Sequence, residues 1–428
     1  MATICGVLCL FIFIAIGVPI GFSLGLAGFI GLALTAGLDT AMGMLMTTPY
    51  RGAAHYSYTT IPLFVLMAEF LNESGFAQRA FVGAYKWIGH WRGGLAMATF
   101  FGGAVFGACS GSSSASAATF SRIAVPEMLK YNYSAQLASG AVSIAATLAA
   151  IIPPSLLMVI YGIATEESIG KLLIAGMLPG IVMTIIYIIG ILIIVTIHPE
   201  EAPPIPPFTW KERWLAVRGM WPLVLIAVVV LGSLYSGLAT PTEAAAVGAI
   251  MSLVTGLVNR SINGHKIIDA LHATLKTSGM IFIIIIGATL FAYFLTMTGT
   301  SQAVINTIGA LPVHRVVILV LVLLVYIVLG MFLDAIGCML LTIPLVFPLI
   351  TSLGYDPIWF GVILVMILEI GLITPPVGIN CFIVSGAAGI PLTVVFRGAV
   401  RLLVFSFIGL ALMIIFPEIV MLLPNMMK

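Results

Sequence analysis

The chain has 428 residues, of which 61% are apolar and only 7% charged, with a net charge of +2. Soluble domains carry about 25% charged residues, so this composition excludes a water-facing globule, a secreted module and a disordered scaffold. The small net charge also argues against a nucleic-acid partner held through its phosphates.

A spanning helix needs about 20 apolar residues, and this length allows roughly ten to fourteen passages. In chain order, apolar runs lie near 4–37, 59–72, 93–121, 136–163, 171–197, 221–258, 277–297, 316–350, 357–388 and 391–417. The first run has no basic n-region and predicts membrane helices rather than a cleaved leader. The stretch Phe76–Trp91 carries Arg79 and Lys86 among aromatics. It predicts an amphipathic helix in the membrane interface, bracing a scaffold. Arg122 and Glu127 are expected to anchor the cytoplasmic base of the segment near 95–128. His198 to Met220, with Pro203-Pro204-Ile205-Pro206-Pro207, is the only long polar, Pro-rich stretch and predicts a linker between two halves.

Lys and Arg set the orientation. Arg79–Arg92, Arg122–Lys130, Lys211–Arg218, Arg260–Lys276 and Arg397–Arg401 fall on one side and hold 13 of the 17 basic residues. That side is then cytoplasmic, and both termini face the other compartment. Arg51, Lys171, Arg315 and Lys428 are the remainder. The pattern closes only if two segments, near 95–128 and 316–350, enter and leave on the same side as re-entrant hairpins.

The halves match at a shift of 222 residues: Pro19 with Pro241, Pro126 with Pro348, Tyr133 with Tyr355, Pro153-Pro154 with Pro375-Pro376, and Gly176 with Gly398. The charge bias puts the two copies in opposite orientations. The expected fold is therefore an all-α polytopic membrane protein of two inverted repeats, with about ten transmembrane helices plus the two hairpins. Residues 1–197 form the first repeat, with a broken helix near 136–163. Residues 198–220 form a cytoplasmic linker. Residues 221–428 form the second repeat, with a broken helix near 357–388.

Four stretches could carry chemistry. In Gly107-Ala108-Cys109-Ser110-Gly111-Ser112-Ser113-Ser114-Ala115-Ser116, five serines fall within seven positions. Non-helical backbone at membrane depth is tolerated only in protein or a wet cavity. Ser110, Ser112, Ser113 and Ser114 are candidate substrate contacts, and Ser112 and Ser116 candidate Na⁺ ligands; small-residue helix packing is the competing reading. At the matching place in the second half stands Gly330-Met331-Phe332-Leu333-Asp334-Ala335-Ile336-Gly337. Asp334 aligns with Ser112, and a lone carboxylate in an apolar hairpin needs a cation or a substrate hydroxyl or amine, or else stays protonated. Gly337 joins it as a candidate ligand. The third and fourth stretches are the Pro pairs in Ile152-Pro153-Pro154-Ser155 and Thr374-Pro375-Pro376-Val377-Gly378-Ile379-Asn380. Proline frees a carbonyl one turn back, and the half-helix after the break aims its positive end at the cavity. A simple kink would lack those ligands. Pro153 is a candidate cation site, and Ser155 and Asn380 are candidate substrate contacts. Two Na⁺ ions, one per half, are expected with an anion between them. Glu243 is expected to start a helix; Glu69 and Glu369 are read as structural, with proton carriage as the competing reading.

Cys5, Cys9, Cys109, Cys338 and Cys381 form no CxxC pair, and the six histidines have no HExxH spacing. Nothing here supports an enzyme, and no continuous polar stripe supports a channel.

Phe106-Gly107-Ala108 with Ser110-Gly111-Ser112-Ser113, Val125-Pro126-Glu127-Met128, Ile152-Pro153-Pro154-Ser155, Ala239-Thr240-Pro241-Thr242-Glu243-Ala244-Ala245 and Thr374-Pro375-Pro376-Val377-Gly378 together resemble the large membrane subunit of the tripartite ATP-independent periplasmic (TRAP) transporters, dicarboxylate-type. The motifs span nearly the whole chain in the expected order. The resemblance implies a multi-pass protein of the bacterial inner membrane, Na⁺ coupling and elevator-type alternating access. It also implies a separate four-helix membrane subunit and a periplasmic binding protein that delivers the substrate. It places the family's tip serines on Ser110–Ser116, its second-hairpin acid on Asp334, and cation ligands on Gly330, Gly371 and Thr374. The arginine expected of sialic-acid members is absent around Phe291–Gln302, which favours a small carboxylate or sulfonate. The alternative is a self-sufficient Na⁺- or H⁺-coupled anion carrier of the same superfold that needs no binding protein.

Overall fold

The computed structural model describes residues 2–309 and 312–427, without the side chains of residues 2, 53, 109 and 309. Lys428 and the Cys109 side chain, both named above, lie outside the described residues. No strand occurs among the described residues.

The first half contains α1 (Ala2–Ala15), α2 (Ile20–Ala36), α3 (Leu38–Ala54), α4 (Thr60–Glu73), α5 (Phe76–Ile88), α6 (Gly94–Ser110), α7 (Ser113–Lys130), α8 (Ala135–Ile151), α9 (Leu156–Thr165), α10 (Ile169–Ala175) and α11 (Met177–Ile197). Helix α12 (Trp210–Gly219) belongs to the linker. The second half contains α13 (Trp221–Tyr235), α14 (Pro241–Val258), α15 (Gly264–Met297), α16 (Thr300–Gly309), α17 (Arg315–Gly330), α18 (Ala335–Ser352), α19 (Pro357–Gly371), α20 (Ile379–Ala388), α21 (Leu392–Ile415) and α22 (Glu418–Met426).

The 222-residue shift carries one set of helices onto the other. It moves α7 onto α18 at both ends, α8 onto α19 and α9 onto α20 within two residues, and α3 plus α4 onto the single helix α15. Both members of the Tyr133/Tyr355 pair sit at a hairpin base. The Tyr133 hydroxyl accepts from the Leu95 N–H at 3.3 Å. The Arg315 guanidinium lies 5.2 Å over the Tyr355 ring.

Helices α8 and α19 form the centre. Every residue of α8 from Leu137 to Ile151 is buried, as is every residue of α19 from Ile358 to Gly371. A helix that is apolar all round is a core helix, and the small residues of α8 let neighbours approach closely. Gly140 meets Gly398 of α21 backbone to backbone: a Cβ at Gly140 would come within 2.7 Å of the Gly398 Cα. Gly398→Val is expected to destabilise the protein by about 1–3 kcal/mol through overpacking. Thermal unfolding in detergent checks this, and an unchanged midpoint would show that the crossing relaxes. The outward faces of α11, α13 and α17 carry exposed Ile, Leu and Val, as a lipid-facing surface requires.

Among the described residues, five helices or helix pairs are long and apolar enough to cross a membrane on their own: Ile169–Ile197, Pro241–Val258, Gly264–Met297, Ala335–Ser352 and Leu392–Ile415. The pair α8/α9 bends by 41° at its break. Helix α17 has 16 residues, a rise of about 24 Å, which is less than a bilayer core of about 30 Å.

Helix α5 is amphipathic, but its apolar face is covered by protein. It packs on α6 and α12, with Trp87 edge-on to Trp210 and Trp214 at 6.0 and 5.8 Å. Glu127 pairs with Lys130 at 3.6 Å in the last turn of α7, and Arg122 is exposed. The linker is more ordered than its composition suggests. Arg401 donates to Glu201 at 2.7 Å, and Ser134 donates to the other Glu201 oxygen at 3.1 Å. Thr209 and Glu212 form a capping box at the start of α12. The Thr209 hydroxyl and backbone N–H hold the Glu212 carboxyl below the usual carboxylate range. Thr240 and Glu243 form the same box at the start of α14, where a helix start was expected.

Candidate substrate and cation site

All four predicted interruptions are present. At the first hairpin tip, α6 ends at Ser110, Gly111 adopts φ +61° and Ser112 is extended. The Gly111 carbonyl accepts from the Leu156 N–H at 3.2 Å, and a Cβ there would lie 2.6 Å from the Pro154 oxygen. Glycine is needed both for the left-handed turn and for this approach. The hairpin tip is thus docked on the first Pro-Pro break. Ser112 caps α7 by accepting from the Ala115 N–H at 3.4 Å. At the second tip Asp334 does the same for α18, accepting from the Gly337 N–H at 2.9 Å. The residues aligned at the 222-residue shift therefore hold the same position in their helices.

The Pro pairs interrupt α8/α9 and α19/α20, and both Pro-Pro bonds are cis. Ser155 caps α9, accepting from the Met158 N–H at 3.3 Å. Helix α20 starts after Gly378 at φ +57° and has no side-chain cap.

A cavity of about 290 Å³ lies where these pieces meet. Its wall includes the first turns of four half-helices: Ser113, Ser114 and Ala115 of α7, Leu156 and Leu157 of α9, Ala335 and Ile336 of α18, and Ile379 of α20. Val65, Ala68 and Glu69 of α4, with Thr277 and Met280 of α15, close it on another side. Helix N-termini carry partial positive charge and unpaired N–H groups, so four of them favour an anion. Among the described residues that line it, none is Lys or Arg; the acids are Glu69, Asp334 and Glu369.

Helix C-termini pair beside this cavity. A Cβ on Gly371, the last residue of α19, would lie 2.8 Å from the Cα of Gly330, the last residue of α17. In the first half, a Cβ on Gly107 of α6 would lie 2.7 Å from the Ala149 Cα of α8. C-terminal carbonyls carry partial negative charge, which is complementary to a hard cation.

The expected site residues divide. Ser110, Ser112, Ser113, Ser114 and Asp334 line the cavity together. Ser116 sits behind the tip, its hydroxyl 3.0 Å from that of Ser110. Ser155 and Pro153 are buried beside the cavity wall without lining it. Asn380 is fully buried, with Oδ1 3.5 Å from the Ser114 hydroxyl. Thr374 donates to the Ile370 carbonyl at 2.6 Å, and its N–H donates to the Gly371 carbonyl at 3.0 Å. Gly337 offers an N–H to Asp334 rather than an oxygen. Glu369, read from sequence as structural, lines the cavity and accepts from the Ser113 hydroxyl at 2.8 Å. Its place six residues before a helix-breaking Pro pair was the one available signal.

The family model for the "Tripartite ATP-independent periplasmic transporter, DctM component" matches residues 7–419. The chain belongs to this family. It is 37% identical over 406 residues to the C4-dicarboxylate TRAP transporter large permease protein DctM of Pseudomonas aeruginosa, covering 94% of each chain. It is 33% identical over 435 residues to the protein of that name in Vibrio cholerae, covering 96% of this chain and 95% of that one. Among solved structures it resembles the Alcanivorax borkumensis YdaH transporter, with a TM-score of 0.61, 16% identity and 91% of both chains covered. At that identity the likeness is one of fold. As a TRAP large permease the chain is a transport protein rather than an enzyme, and a multi-pass protein of the inner membrane.

Proposed function

We propose that this TRAP large permease is the membrane carrier of a Na⁺-coupled importer for a small organic anion, carboxylate or sulfonate. The observation that carries this reading is the cavity walled by four helix N-termini and flanked by two pairs of helix C-termini. One arrangement suits an anion and the other two suit cations. Two Na⁺ ions would sit at the α6/α8 and α17/α19 ends, near the Ser112 and Asp334 tips. The Pseudomonas and Vibrio relatives named for C4-dicarboxylates favour a dicarboxylate substrate.

In this reading residues 1–197 and 221–428 are inverted copies joined by the linker 198–220. The two hairpins and two broken helices move as one body against α4 and α15. Two further cavities support such a boundary. One, of about 600 Å³, lies between α15 and Pro19–Phe22 and reaches Asp334. The other, of about 400 Å³, runs from Tyr58 and Glu166 to Tyr293. The partners are a four-helix membrane subunit and a periplasmic binding protein.

Reconstitution of all three components with labelled succinate tests the reading. Uptake is expected to require a Na⁺ gradient and the binding protein. Equal uptake in choline would overturn Na⁺ coupling, and uptake by this chain alone would overturn the tripartite assembly.

A further inference from the structure

The interface role that the sequence suggested for α5 passes to the helix that covers it. Trp87 of α5 donates to the Arg213 carbonyl of α12 at 3.2 Å and meets Trp210 and Trp214 edge-on. Those two rings are still 66% and 62% exposed, and no residue of α12 is buried. Indole rings left this open belong where one side is apolar and the other wet.

The side chains of α12 are sorted by stripe. At 3.6 residues per turn, Trp210, Trp214 and Val217 share one exposed stripe, and Lys211, Leu215 and Arg218 share the next. The Arg213 guanidinium lies 5.3 Å over the Trp210 ring. The helix has one acid, Glu212, and its carboxyl is occupied by Thr209. Among the described residues, none of the three basic side chains forms an ion pair with a carboxylate.

The surroundings of α12 put it at the edge of the bilayer. Its ten residues rise about 15 Å, too short to span. It meets α13 at a bend of 47°. Trp221 is exposed at that junction, and Val224 and Val228 of α13 are exposed beyond it, as on a lipid-facing helix. The Lys and Arg bias makes this the cytoplasmic face. A stripe of Trp flanked by unpaired cations is complementary to a surface that is apolar below and anionic above.

We propose that α12 docks on anionic phospholipid headgroups of the leaflet it borders. Trp210, Trp214 and Val217 enter the boundary between headgroups and acyl chains, and Lys211, Arg213 and Arg218 bind the phosphates. Because α12 clasps α5, docking fixes both helices at the membrane surface. This holds whatever anion the carrier transports.

Tryptophan quenching by brominated lipids in nanodiscs tests the proposal on the full chain. The signal is the part of the emission that Trp210→Phe/Trp214→Phe loses. Phosphatidylglycerol with brominated chains is expected to quench it more strongly, mole for mole, than phosphatidylcholine with the same chains. Lys211→Gln/Arg218→Gln, at two exposed positions, should lower that preference about fivefold for each charge removed at low salt. Lys211→Arg/Arg218→Lys should keep it. Should the Trp variant not fold, native mass spectra of wild type and the Gln variant with each lipid added read the same preference. Equal binding of the two lipids by wild type, or an unchanged preference in the Gln variant, overturns the proposal. Absence of quenching by either lipid would put α12 away from the bilayer and overturn it as well. With a four-helix membrane subunit co-assembled, the preference is expected to stay the same. Loss of quenching in that complex would make the stripe a protein-docking face instead.

Discussion

Replacing Asp334 with Ala is expected to reduce reconstituted uptake to background while the protein remains folded. The side chain does two things that can be separated. It caps α18 through the Gly337 N–H, and loss of an N-cap costs about 1 kcal/mol. It also puts a half-buried carboxylate on the wall of the cavity. Removing one partner of a buried charge pair costs about 3–5 kcal/mol, which is about a hundredfold or more in affinity for the partner ion. Asp334→Asn keeps the capping oxygen and deletes the charge. It should lose uptake as completely as Asp334→Ala, with a thermal midpoint nearer wild type. A normal rate in either variant would remove Asp334 from the cation site.

Gly371→Val is expected to raise the Na⁺ concentration for half-maximal uptake about a hundredfold, since displacements of about 1 Å in a preorganised site have effects of that size. The new side chain would begin 2.8 Å from the Gly330 Cα, so the ends of α17 and α19 must separate and their carbonyls no longer share one cation. Gly371→Ala, with fewer atoms to place, should fall between Val and wild type. Na⁺-activation curves measure the series, and three superimposable curves would show that the paired helix ends hold no sodium.

The interruptions were legible in the sequence because Gly, Ser and Pro have few other uses inside a 20-residue apolar run. Ser112 and Asp334 announced matching positions through the 222-residue shift, and the helix start at Thr240 followed from ordinary capping chemistry, whereas the capping roles of Ser112 and Asp334 came only with the structure. The place of Glu369 on the cavity wall did not show. Helix α19 is buried on every side, so it has no polar face from which to read a direction, and only the tertiary fold brings Glu369 to the Ser113 hydroxyl at the start of α7. Ser155 could not be separated from the tip serines by type; its hydroxyl is occupied by the α9 backbone. The amphipathic pattern of α5 was read correctly as a pattern, but no sequence rule distinguishes lipid from α6 and α12 as the surface that covers it.

Helix α15 touches all three large cavities: Leu275 to Ile284 the one beside Pro19, Thr277 and Met280 the central one, and Ile285 to Thr296 the one near Glu166. It is unbroken over 34 residues, whereas its counterpart in the first half is split into α3 and α4. Such a rod can serve as a fixed rail, and its spacing then limits the stroke. From Met280 to Ala292 the rise is about 18 Å. A carriage sliding along it would travel roughly half a bilayer, far enough to exchange one doorway for the other without the cargo leaving its seat.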